Sequence, residues 1–379
     1  MKKIFFVANI QYTLAHFRSE LIDQLRSMGH EVYLICPNTD GNLHVEQSDP
    51  YMLDIKLSRG GLNPLKEFAT FMTLARLYKK EKPDIVLNFT IKPIIYSSLA
   101  AGFFSSKTKI FSNITGLGYV FTDKSLKAKL VRVIVTFLYK LSFKLNQRVF
   151  FQNPDDEQLF QKMDLVSPEK SKRLNGSGIN LERIQVSLSP KEPQSFIFVG
   201  RLLRDKGLLE LVEAVKLLSK DFPGMKCYIV GGVDDNPNSF TAEAIKEFSK
   251  CPSLIFLGHR KDVIEIMSKC EVNVLPAYRE GTPRTNLEAM ATGLPIITTD
   301  APGCRETVID GYNGFLIPIK DTNKLMEKMR SFLENPDQIT WMGQNSRKFV
   351  EQKFNVKEVN REILNTIGVC NVSNSKKTL

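Results

Sequence analysis

Twice along this chain an apolar run gives way to an amphipathic stretch and then to another apolar run, and that alternation restricts the fold more than any other feature. In the first half, Ile4–Ala8, Glu31–Cys36, Asp84–Asn88, Lys109–Ser112 and Arg148–Phe151 read as strands. Phe17–Met28, stopped by Gly29, and Lys66–Lys80 read as helices among them. The second half repeats the pattern with strand-like runs at Ser195–Val199, Lys226–Val230, Leu254–Leu257, Val272–Leu275, Pro295–Thr298 and Gly314–Ile317. Leu208–Leu218 is helical, with apolar residues at 208, 211, 212, 215 and 218. Such alternation predicts an α/β chain of doubly wound parallel sheets, whose ligands bind beyond the carboxyl ends of the strands. At 379 residues the chain exceeds one ordinary core and suits two such domains.

Two strand-end loops carry chemistry. Gly200, Arg201 and Lys206 follow the strand Ser195–Val199 and precede a helix. A glycine turn with two cations beside a helix start suits a diphosphate. The second loop reads EGTPRTNLE from Glu280 to Glu288; it lies between the strand Val272–Leu275 and a helix at Asn286–Thr292 that Gly293 and Pro295 stop. Gly281 and Pro283 keep Glu280 on the loop, so it reaches one end of a ligand while Glu288 reaches the other. Taken singly, the acids could merely cap a helix and the cations merely be solvated. Both motifs in strand–loop–helix context point to a site.

Together the two motifs, in order and spacing, resemble the retaining glycosyltransferases of family 4, which have the GT-B fold. His16-Phe17-Arg18, Thr90-Ile91-Lys92-Pro93 and Asn113–Phe121 resemble a bacterial subgroup that builds lipid-linked glycans, as do Arg59–Pro64 and Gly231–Pro237. The resemblance runs to about residue 360. It implies two Rossmann-like domains facing a central cleft, with the last helix crossing back to the first domain. It implies transfer of a hexose or N-acetylhexosamine from a UDP-sugar to a saccharide linked to undecaprenyl diphosphate, with retention of configuration and with no cofactor or metal. Glu280, Arg201, Lys206 and His16 would act in catalysis. Gly200, Arg201, Lys206, Arg260, Gly281, Thr282, Pro283, Arg284 and Glu288 would hold the nucleotide sugar, with Glu288 on the ribose and Glu280 on the sugar. His16, Arg18, Thr90, Lys92, Thr115, Gly116 and Tyr119 would hold the acceptor. The chain departs from the family at Asn9-Ile10-Gln11, where many members have a Gly-Gly turn, and in having no histidine near Thr90–Lys92. His16 is then the one well-placed histidine of the first half, either catalytic or only orienting backbone at a helix start.

The implied layout is a first domain over 1–187, a linker at 188–194, a second domain over 195–355, a crossover helix at 356–370 and a disordered tail at 371–379. Hydrophobic content of 42% and charged content of 25% fit a soluble globular protein. Met1-Lys2-Lys3 leads straight into a strand, so no secretory leader is expected. The longest charge-free stretch, Pro93–Ser106, falls short of the roughly 20 residues that span a bilayer. Six scattered cysteines suggest buried thiols rather than disulfides or zinc, which fits the cytoplasm.

The net charge of +11 is uneven: residues 1–190 carry 26 Lys and Arg against 17 Asp and Glu. That excess favours an anionic partner. Lys124–Arg148 reads as a helix with Lys129, Arg132, Lys140 and Lys144 on one side, near Val133, Tyr139 and Phe143. Leu130, Ile134, Leu138, Leu141 and Leu145 lie opposite and are expected to be the core face. The basic side would then meet an anionic inner-membrane surface, giving peripheral attachment alongside other glycan-assembly enzymes. Nucleic acid is disfavoured, because no recognised binding motif accompanies the charge. A UDP-sugar 2-epimerase-like enzyme of the same fold and a non-catalytic nucleotide-sugar-binding protein are the alternatives.

Overall fold

A computed structural model of the chain describes residues 1–37, 49, 51–57, 63–117, 121, 126–186, 190–234, 236 and 238–369. Tyr119, Lys124 and the tail at 371–379 lie outside the described residues. The chain forms two compact units, Met1–Ser177 with the segment from Glu358 onward, and Gly178–Lys357.

The boundary thus falls at Ser177/Gly178, ahead of the linker expected at 188–194. Ile179 and Ile184 are buried in the second unit's core, which draws the stretch after Gly178 onto that unit. The Glu192 N–H donates to the Lys269 carbonyl (2.8 Å) and the Gln194 N–H to the Glu271 carboxylate (2.8 Å). These residues are therefore tied down beside a strand, whatever their proline content suggested.

The first unit holds β1 (Lys3–Val7), β2 (Glu31–Cys36), β3 (Met52–Asp54), β4 (Ile85–Phe89), β5 (Lys109–Ile114), β6 (Arg148–Phe151) and β7 (Ser171–Arg173). They pair in the order β3-β2-β1-β4-β5-β6-β7, every pair parallel. Its helices are α1 (Gln11–Phe17), α2 (Ser19–Ser27), α3 (Pro64–Glu81), α4 (Ile91–Phe104), α5 (Leu126–Leu145) and α6 (Pro154–Lys162).

The second unit holds β8 (Ser195–Val199), β9 (Lys226–Val230), β10 (Leu254–Gly258), β11 (Val272–Leu275), β12 (Ile296–Thr299) and β13 (Gly314–Ile317), in the parallel order β10-β9-β8-β11-β12-β13. Its helices are α7 (Leu208–Leu218), α8 (Ala242–Phe248), α9 (Val263–Lys269), α10 (Arg284–Ala291), α11 (Thr322–Glu334) and α12 (Asp337–Lys353). In α13 (Val356–Ile367), Val359, Ile363, Leu364 and Ile367 pack into the first unit's core with Ile4, Phe6, Val32 and Leu34. Both sheets reverse strand order beside their first strand, between β1 and β4 and between β8 and β11. Those are the switch points at which open α/β sheets bind ligands.

One expectation is overturned at α5. Its buried face is Val135, Tyr139, Ser142 and Phe143, while Leu130, Val133, Ile134, Phe137 and Leu141 are exposed. Hydrophobicity alone assigned Leu130, Ile134, Leu138, Leu141 and Leu145 to the core; Leu138 and Leu145 do pack against it, half-buried, while the other three do not. The partners available in the fold decide otherwise, because Phe160 sits 5.5 Å from the Tyr139 ring and 6.1 Å from that of Phe143. Tyr139 and Phe143 stack on each other at 5.0 Å. An aromatic core takes the aromatic face. Among the described residues no helix is long and apolar enough to cross a membrane.

A buried polar network fastens this side of the first sheet. Asn88, on β4, accepts from Ser97 Oγ (2.5 Å) and donates to Ser98 Oγ (3.1 Å), both on α4. Tyr78 of α3 closes on Ser97, and Asn146 Nδ2, just past α5, donates to Ser98 (3.1 Å). Asn88→Ala removes the group that joins both serines to the sheet. It is expected to cost about 2–3 kcal/mol, read as a lower midpoint in thermal unfolding; an unchanged midpoint would mean the serines find partners without it.

Candidate active site

At the β8/β11 switch point two loops leave adjacent strands and are stitched together. After β8, Gly200 and Arg201 lead to a single 3-10 turn, Arg204–Lys206, which Gly207 ends with φ +72°. A Cβ on Gly207 would overlap the Pro276 carbonyl just past β11, so the loops approach at a distance that only glycine allows. The Tyr278 N–H donates to the Asp205 carbonyl (2.9 Å), and its hydroxyl donates to Glu210 Oε1 (2.5 Å). Burial, with Glu210 adding to it, raises the Tyr278 pKa and keeps the hydroxyl a donor. Across this seam Lys206 Nζ forms an ion pair with Glu280 Oε1, both side chains mostly buried.

Glu280 is on the loop, and α10 begins four residues later at Arg284. Glu288 is 9% exposed and is held by Arg284 Nε at 3.0 Å. Arg201 pairs with Asp234 at 3.3 Å. Arg260, past the edge strand β10, grips Asp262 with two hydrogen bonds (2.8 and 2.6 Å) and lies farther out, since β9 separates β10 from β8. Each of the four cations expected at the site thus faces a carboxylate, so an arriving anion competes with a neighbour already in place.

Three supports went unread in the sequence. Pro302-Gly303-Cys304 backs the Glu280 loop: the Glu280 N–H donates to the Pro302 carbonyl (3.0 Å), and a Cβ on Gly303 (φ +78°) would overlap the carbonyl oxygens of Glu280 and Gly281. Burial raises the Cys304 thiol to about 12, with the Glu280 charge adding to it, so this cysteine packs and does not attack. Beneath α10, Asn273 Nδ2 donates to Asn286 Oδ1 (3.0 Å) and Asn286 Nδ2 to Thr307 Oγ1 (2.9 Å), all buried. At the far end of α10, Arg347 Nη1 donates to the Ala291 carbonyl (2.7 Å). An asparagine inside the apolar run Val272–Leu275 was the one available signal for the middle support.

In the first unit, the described residues expected to take an acceptor lie in the segments that follow β1, β4 and β5, which are neighbours in the sheet. His16 is in the last turn of α1 rather than at a helix start, its ring stacked on Tyr12 at 4.7 Å. The helix breaks at Arg18, which is buried with its guanidinium 5.0 Å from the centre of the Phe89 ring. Thr90 turns the chain from β4 into α4 at φ 69°, ψ 163°, a region that a β-branched residue enters only under strain. Lys92 forms an ion pair with Glu67 of α3 at 2.6 Å, so an acceptor anion would compete with that carboxylate. Thr115 and Gly116 (φ 146°) follow β5. Among the described residues no three His, Cys, Asp or Glu side chains gather as a metal-ligand set.

Comparison with known proteins agrees with this geometry. Residues 3–153 match the family described as glycosyl transferase 4-like, and residues 180–349 match glycosyl transferases group 1. The chain is 30% identical over 346 residues, 88% of its length and 90% of the relative's, to the N,N'-diacetylbacillosaminyl-diphospho-undecaprenol alpha-1,3-N-acetylgalactosaminyltransferase of Campylobacter jejuni. It is 26% identical, over 77% of each chain, to the UDP-Gal:alpha-D-GlcNAc-diphosphoundecaprenol alpha-1,3-galactosyltransferase of Escherichia coli. Anabaena HepE in complex with UDP-glucose shares the fold, with a TM-score of 0.79 at 17% identity, covering 98% of this chain and 100% of that one. The chain belongs to the group 1, family 4-like glycosyltransferases and has the GT-B fold.

Gly303→Val tests the buttress. The added side chain is strained at positive φ and pushes on the Glu280 backbone, so glycosyl transfer is expected to fall at least about tenfold while the chain stays folded by circular dichroism. Unchanged turnover would mean the Glu280 loop does not need that backing.

Proposed function

We propose that the enzyme moves a hexose or N-acetylhexosamine from a UDP-sugar to a saccharide carried on undecaprenyl diphosphate, keeping the anomeric configuration and using no metal, at the inner face of the cytoplasmic membrane. The observation that carries this reading is the meeting of Lys206 with Glu280 at the β8/β11 switch point, with Arg201 and Glu288 on the same two motifs. Both curated relatives named above act on diphospho-undecaprenol-linked sugars, and one is named for a UDP-sugar donor.

In this reading the bond from the anomeric carbon to the diphosphate breaks while the acceptor hydroxyl attacks from the same side. The hydroxyl proton passes to the departing diphosphate, and no glycosyl-enzyme forms. Negative charge grows on the leaving group, so Arg201 and Lys206 stabilise the transition state more than the ground state. Lys206 turns from Glu280 to the diphosphate, which frees the Glu280 carboxylate for the sugar hydroxyls or for positive charge on the ring. Glu288, oriented by Arg284, accepts from the ribose hydroxyls. Gly281, Thr282 and Pro283 shape the loop around the diphosphate, and Arg260 lies toward the base. His16, Arg18, Thr90, Lys92, Thr115, Gly116 and Tyr119 serve the acceptor.

The test is UDP release from a panel of UDP-sugars, with and without a polyprenyl-diphosphate-linked sugar. Release is expected to require the acceptor. Lys206→Ala should lower kcat by about 10²–10³-fold, and Glu288→Ala should raise the donor KM about tenfold or more. Release without acceptor would point to hydrolysis or epimerisation, and no release with any donor would refute the proposal.

A further inference from the structure

We propose that the exposed face of α5 is a bilayer-docking surface whose apolar stripe enters an anionic leaflet, with the basic residues at its edge and not at its centre. Leu130, Val133, Ile134 and Phe137 each keep between 52% and 67% of their surface in water, and Leu141 keeps 36%. Spacings of three and four residues place all five on one line of the helix, in a patch that a monomer in water has no reason to keep. Exposed Lys129, Lys140 and Lys144 run along one edge of that line. Lys140 also meets Asp164 at 2.5 Å, but Asp164 is itself 89% exposed, a setting in which an ion pair contributes little. From Lys124 to Arg148 the sequence holds seven Lys and Arg and no Asp or Glu.

The edge charges choose the occupant. A second copy of α5 seated on the stripe would offer these lysines no carboxylate, since residues 124–148 hold none, whereas an anionic headgroup layer meets them with opposite charge. Lysine stems lie along apolar surface while their ammonium groups stay at the interface, the arrangement of helices that lie in a membrane surface. Insertion also fits the opposite face, where Val135, Tyr139, Ser142 and Phe143 anchor α5 to its own unit. Among the described residues the helix is fixed on one side and exposes its apolar stripe on the other. This inference rests on the reading that the acceptor is carried by a lipid.

The experiment is co-sedimentation of the full chain with vesicles of phosphatidylcholine containing about 30% phosphatidylglycerol, against pure phosphatidylcholine. The parent is expected to bind the anionic vesicles, more weakly but measurably at high salt. The double variant Ile134→Gln/Phe137→Gln, whose positions are exposed, should melt like the parent yet bind about tenfold more weakly or worse. Lys140→Gln/Lys144→Gln should lose affinity for anionic vesicles only. Failure of the parent to bind, or equal binding by the Ile134/Phe137 variant, would overturn the proposal. So would a parent dimer in lipid-free solution that the variant abolishes, since the stripe would then be a contact between copies. Acceptor-dependent UDP release in detergent micelles reports transfer separately. Release retained while vesicle binding fails refutes the docking surface alone; release absent while vesicle binding persists refutes the transfer reading and leaves the docking surface standing.

Discussion

A parallel sheet cannot join neighbouring strands by a tight turn, so every strand hands its chain to a crossover at the carboxyl end. Where the strand order reverses, adjacent strands send their crossovers to opposite faces and a crevice opens between the two loops. The rest of this enzyme depends on that constraint. In the second unit it sets the loop after β8 against the loop after β11, close enough for the Tyr278 N–H to reach the Asp205 carbonyl and for Lys206 to reach Glu280. In the first unit the same reversal sets the α1 turn beside Thr90 and the start of α4.

Charge around the β8 and β11 loops is arranged in matched pairs. Lys206 faces Glu280, Arg284 faces Glu288, Arg201 faces Asp234 and Arg260 faces Asp262. Lys206–Glu280 and Arg284–Glu288 are mostly buried, where an unpaired charge would be costly, while the half-exposed Arg201 and Arg260 pairs contribute little. Pairing also keeps each cation near where a diphosphate would lie, ready to exchange its carboxylate for the arriving anion. The backing turn at Gly303 and the Asn273–Asn286–Thr307 chain hold the carboxylate-bearing backbone in register.

The sequence made the architecture legible because both sheets consist of short apolar runs whose helices carry stop signals such as Gly29 and Gly293. The two charged loop motifs were legible for the same reason: glycine, proline and charge cluster at strand ends. Besides the three supports behind these loops, three features were not. The face that α5 buries depends on Phe160, a residue outside the helix, and a helical wheel holds no information about it. The partner of Lys92, Glu67, comes from a helix 25 residues earlier, and ion pairs at that separation leave no local pattern. The unit boundary at Ser177/Gly178 was hidden because Ile179 and Ile184 look like any loop aliphatics until the core that buries them exists.

A crystal structure of the full chain with UDP bound tests directly whether Lys206 leaves Glu280 for the diphosphate. The diphosphate is expected at the β8/β11 switch point, with Lys206 turned from Glu280 to the phosphate oxygens, Arg201 beside them and the ribose hydroxyls on Glu288. UDP ordered elsewhere on the protein, or bound there with Lys206 still on Glu280, would contradict it.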